Sequence, residues 1–137
     1  MTVFFSSTLS IACVPSYRWN MEQAANSMIE IRKAETDYRL ANGRYGSLDE
    51  LLREKRIRKS LASGSNHGYK FAIRCSDSAY TAVAVPMVYS SSSYGGTGML
   101  SFYLDESGVI RAADRKGAEA SGTDPPLGKE INAERER

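Results

Sequence analysis

Histidine is almost missing from this chain of 137 residues: His67 stands alone, between Asn66 and Gly68. A single imidazole cannot make a catalytic triad, a histidine metal cluster or a proton relay, and an Asn-His-Gly setting reads as a surface loop. Cysteine is nearly as scarce. Cys13 and Cys75 lie far apart with no CxxC spacing, which excludes a zinc site and a dense disulfide framework and leaves at most one bridge. Cys75 is expected to pack as a small apolar residue near a strand end. Long apolar runs are missing too. Residues 2–14 are apolar and uncharged but fall short of the roughly 20 that a spanning helix needs. No Lys or Arg precedes Arg18, so a secretory signal's basic start is not seen. The formal charge is only +2, which by itself points to no nucleic-acid or membrane-surface partner.

What is present is one long amphipathic stretch, 16–42. Its apolar residues Tyr17, Met21, Ala24, Met28, Ile31 and Tyr38 recur in steps of three and four, which keeps them on one side of an α-helix. Ala25, Ile29, Ala34 and Ala41 widen that stripe enough to bury it against a sheet, and only Glu35 interrupts it. Pro15 stands at the entrance and Gly43 supplies a left-handed stop after Asn42. Such a helix would run roughly 40 Å, longer than a domain of this size requires. It is expected to reach beyond its own domain.

Ser47-Leu48-Asp49-Glu50 is a capping box opening a short helix that buries Leu48, Leu51 and Leu52. The following 53–59 carries five positive charges and one negative around Ile57, a solvated face or a contact for an acidic partner, and Ser63, Gly64 and Ser65 read as a loop. From Tyr69 the apolar period becomes two. Tyr69, Phe71 and Ile73, then 80–85 ended by Pro86, then 100–104 and 109–111 read as a meander of about four antiparallel strands. Between them lie an Asp77-Ser78 turn, a Ser/Gly loop at 90–98 and a hairpin turn from Asp105 to Gly108, whose glycine is expected at positive φ. The long helix should cover one face, with Met28, Ile31 and Tyr38 buried by Tyr69, Phe71, Val83 and Phe102. The organisation expected is an apolar stub at 1–15, an α+β domain at 16–112 and a flexible tail at 113–137, where apolar residues thin out.

Catalytic chemistry has no visible parts. The glycines of 94–98 are followed by neither a lysine nor a helix, so they read as turn formers and not as a phosphate cradle. Asp105, Glu106 and Ser107 offer too few oxygens for calcium, and the aromatics fall mostly at core positions. No catalytic, cofactor-binding or metal-ligating residues are assigned, and no enzyme is expected.

Taken in order, Ile11-Ala12-Cys13-Val14-Pro15-Ser16-Tyr17, Ala24-Ala25-Asn26-Ser27, Ala34-Glu35, Tyr38 and Asn42-Gly43-Arg44-Tyr45 resemble the second half of a type IV pilin or pseudopilin helix. Gly68-Tyr69, Tyr80-Thr81-Ala82, Ala84-Val85-Pro86, Thr97-Gly98 and the stretch 101–111 are similar to the strand-built head of that family. The resemblance spans residues 11–127. It implies a pilin-like fold and a structural subunit of a type IV pilus or type II secretion pseudopilus, assembling through its helix with other pilin or pseudopilin subunits and the assembly machinery. It also implies the bacterial inner membrane, periplasm and cell surface as location, with no cofactor and no nucleic acid. Residues 1–10 lack the family's basic leader, its Gly and its Glu, so the membrane-anchoring part of the helix is expected upstream or on a partner polypeptide. The other reading is an exported or lipid-anchored module, with Cys13 as the lipid site and the 90–98 loop recognising a ligand.

Overall fold

The computed structural model describes residues 9–92 and 95–128, with the side chains of the first helix described from Arg18 onward. Helix α1 (Leu9–Asn42) begins earlier than the 16–42 stretch and passes through Pro15. Met21, Ala24, Met28, Ile31 and Tyr38 are all buried along it, while the Tyr17 side chain lies outside the described residues. Gly43 ends the helix at φ +77 and donates its N–H to the Arg39 carbonyl at 2.8 Å. Helix α2 (Leu48–Arg53) opens on the capping box: the Glu50 N–H donates to Ser47 Oγ at 3.2 Å, and the Ser47 N–H donates to Glu50 Oε1 at 3.0 Å. A further short helix, α3 (Lys59–Ala62), ends the charged run and buries Leu61.

The expected fold, a pilin-like long helix over about four strands, is corrected here. The chain is a small α+β fold whose helix packs on a five-stranded antiparallel meander in the order β1 (Ser65–Asn66), β2 (Tyr69–Cys75), β3 (Tyr80–Pro86), β4 (Leu100–Asp105), β5 (Arg111–Asp114). Strand β1 takes the place of loop at Ser65, because two polar residues carry no period that sequence can register. It is held because it pairs with Tyr69 and Lys70.

The register explains which side chains meet α1. Phe71, Ala84, Phe102 and Ala112 sit opposite one another in a row across four strands, alternating large and small, and all join the core. Tyr69, Tyr80, Ala82, Leu100 and Leu104 fill the same face, and the Tyr69 hydroxyl donates to the Leu100 carbonyl at 2.7 Å. Val83 does not belong there. It is one residue out of phase with Ala82 and Ala84, so it is buried on the opposite face, in a row with Ala72, Tyr103 and Arg111.

That opposite face is covered in part by residues expected to be a flexible tail. Ser101 Oγ donates to the Ala118 carbonyl at 2.6 Å, Arg74 pairs with Glu119 at 2.8 Å, and Arg111 donates to the Asp124 carbonyl at 2.8 Å. Beyond this, the Ala112 N–H donates to the Pro125 carbonyl at 3.1 Å and the Leu127 N–H to the Ile110 carbonyl at 2.6 Å, so the outer edge of β5 is partnered and Leu127 packs on the core. The boundary expected at 112/113 falls inside β5. Polar bonding is what docks this stretch: buried Asp124 receives the Arg115 guanidinium and, at 2.8 Å, the Ser121 N–H. The guanidinium in turn holds the Asp124 carboxyl below the usual carboxylate range. Composition gives no sign of this, because it counts apolar residues and most of the anchoring is polar. The part of the expected tail from residue 129 lies outside the described residues.

Candidate functional site

Helix α1 has two faces, and its own sheet uses only one. The stripe expected to drive assembly is, from Met21 to Tyr38, consumed inside the chain by β2, β3, β4 and the short helices. Those side chains cannot meet a partner while the domain is folded. The opposite face is set out by the same three- and four-residue steps: Trp19, Glu22, Asn26, Ile29, Lys33, Thr36 and Leu40. Trp19, Ile29 and Leu40 are exposed there, Leu40 by 83%. Ile29 and Ala41, expected to widen the buried stripe, are both exposed instead, because their helical phase turns them away from its centre.

At the start of the described side chains this face runs into a rim of exposed apolar groups. The Trp19 ring meets the His67 ring edge-on with centroids 4.7 Å apart, and His67 holds a left-handed φ of 52°. Asn20 Nδ2 donates to the Thr97 carbonyl at 3.1 Å, and Thr97 Oγ1 accepts the Val88 N–H at 3.0 Å. Met87 is tied to the same place through its N–H, 2.8 Å from the Gly68 carbonyl. Trp19, Met87 and Val88 therefore stand exposed round one end of the domain, from which α1 continues toward Leu9. The rim is hidden in the sequence because its members come from two segments far apart in the chain. Only Trp19 carries a signal, lying off the buried stripe.

No family model, curated protein or solved structure matches this chain. Among the described residues no helix is long and apolar enough to cross a membrane, and no group of three or more His, Cys, Asp or Glu could hold a metal ion.

The remaining candidate residues are spent on structure. In the Ser/Gly loop, Ser93 and Tyr94 lie outside the described residues, Ser90 Oγ and Ser92 Oγ are 3.4 Å apart, and the Ser90 N–H donates to the Gly98 carbonyl at 3.2 Å. Asp105 and Gly108 do form the hairpin turn. Gly108 takes φ +82, and its carbonyl accepts from Arg32 at 3.0 Å. Burial works against the Asp105 carboxylate, but hydrogen bonds from the Ser107 hydroxyl and N–H and from Tyr103 hold it below its usual range. Cys75 ends β2 but is exposed, not packed, and its thiol is free. Partial burial, with Glu35 and Glu50 adding to it, pushes that thiol up and away from a reactive thiolate. Of the basic run, Arg56 pairs with Glu54 at 2.8 Å and Arg58 with Glu30 at 2.9 Å. An open depression of about 300 Å³ beside them is lined by Glu30, Glu54 and Arg56 from these pairs, by Lys55, and by Lys33 and Asp37, themselves 3.0 Å apart.

Proposed function

We propose that this chain is a non-enzymatic structural subunit of a bacterial filament, a type IV pilus or type II secretion pseudopilus, assembling through α1. The observation that carries the reading is the division of that helix: one face is spent on its own domain, the other is left outward with Trp19, Ile29 and Leu40 exposed. Among the described residues the helix also runs from Leu9, about three turns before Met21, the first buried side chain described. The sheet, by contrast, is covered by α1 on one face and in part by the docked C-terminal stretch on the other. Assembly then proceeds by removing the outward helix face and its rim from water, each Å² of apolar area contributing about 25 cal/mol. The partners are other pilin or pseudopilin subunits and the assembly machinery. The inner membrane takes part where the helix is completed upstream or by a partner.

Fractionation tests this. Filaments sheared from bacterial cells expressing the chain should contain it, and intact mass of that material should identify its mature start. Recovery only as a monomer in the soluble fraction, with filaments present but free of the chain, would overturn the proposal.

A further inference from the structure

Glu35 is the one carboxyl placed in the buried stripe of α1, and its side chain is fully shielded from solvent. Oε1 accepts the Gly46 N–H at 2.8 Å, while Oε2 is buried with no hydrogen-bond partner among the described residues. The bond ties α1 to the loop that leads into α2. Gly46 is pressed against the Tyr38 ring so closely that a Cβ there would lie 3.0 Å from it. The Glu35 bond and this close contact together seat the loop on α1.

Among the described residues, the groups round Glu35 offer it no counter-charge. From α2 comes Glu50, kept ionised at a pKa of about 2 chiefly by Arg44, whose guanidinium bonds both carboxylate oxygens at 3.2 and 2.8 Å. Arg44, on the loop, is thereby committed. Tyr80 reaches in from β3, in ring contact with Tyr45 of the loop at 4.8 Å, and Cys75 comes from the end of β2. On α1 itself Tyr38 lays its ring on Gly46, Arg32 turns to the Gly108 carbonyl and Arg39 lies over the Tyr45 ring. A charged carboxylate with a bare buried oxygen is far costlier here than the neutral acid.

We propose that Glu35 is a proton-operated latch: neutral, it seats the 43–47 loop and α2 against α1; ionised, it draws in water and releases them. Burial, opposed by the Gly46 bond and aided by Glu50, moves the carboxyl from an ordinary value of 4.5 to about 7. Well below pH 4.5 the seated and released forms are both protonated. Between 4.5 and 7 the released form ionises while the seated form keeps its proton, so the latch weakens as pH rises through that window and levels off above it. Between pH 5 and 8 the released population should grow on the order of fiftyfold.

The test is amide hydrogen exchange of the full chain across this range, corrected for intrinsic rates, together with a carboxyl carbon-13 titration of Glu35. The latch predicts a Glu35 midpoint near 7, loss of protection at 43–51 as pH rises, and unchanged protection in β3 and β4. Glu35→Gln keeps an oxygen for the Gly46 N–H without a charge, so its loop protection should be flat with pH. A midpoint near the ordinary value, a wild-type loop whose protection does not change with pH, or a Gln variant with the wild-type profile would each overturn the latch.

Discussion

Replacing Phe102 by Ala is expected to cost the domain about 3–5 kcal/mol, a large part of the stability of a chain this size. Phe102 is fully buried beneath α1, with its ring centroid 5.8 Å from that of Tyr69. Its neighbours in register are Ala84 and Ala112, whose side chains are too short to fill the space a ring would leave. The cavity should stay open, which puts the cost in the upper part of the range for such deletions. Urea unfolding followed by circular dichroism measures it. A loss under about 1 kcal/mol would mean that the helix does not rest on this row.

The second large effect is expected at Gly98, a residue that reads in the sequence as a turn former. Its φ is not the reason it must be glycine. A Cβ at that position would lie within 3 Å of the Tyr69 ring and hydroxyl, and Tyr69 is fully buried with its hydroxyl bonded to the Leu100 carbonyl. Tyr69 cannot swing away without giving up that bond. Gly98→Val should therefore cost about 2–4 kcal/mol, from overpacking and from a stranded buried polar group. Gly95 makes the control: it sits at φ +83 with nothing within 4 Å, so Gly95→Ala should cost only about 1 kcal/mol of backbone strain. Equal thermal shifts for the two variants would remove packing as the cause.

These two residues show where the sequence is legible. The buried stripe of α1 can be read because three- and four-residue steps over so long a stretch fit a helix and no strand, and the capping box at Ser47 because its two bonds need those residue types at that spacing. Strands β2, β3 and β4 announce themselves by alternation. Register does not, and so Val83 lies on the face opposite to the one expected: three consecutive small apolar residues, Ala82, Val83 and Ala84, give no phase of their own. Strand β1 is too short for any period. The docking of 115–128 depends on Arg115, Asp124 and Ser121 finding one another, which composition cannot show. Gly98 looks like loop chemistry because its constraint comes from Tyr69, on another strand. Glu35 is visible as an interruption, but its burial depends on Gly46 and the loop folding back over it. The exposed face of α1 is present in the sequence as whatever the stripe leaves out, and Ile29 falls on it because its helical phase lies away from the stripe's centre.

That exposed face bears directly on assembly. A photoreactive phenylalanine analogue in place of Ile29, on the outward face and away from the core, can be activated in cells that are building filaments. If copies assemble through α1, irradiation should give a ladder of crosslinked dimers and higher multimers, with the crosslinks mapping to α1 of a neighbouring copy. A band at the monomer position alone, from cells whose filaments contain the labelled chain, would contradict assembly through this helix.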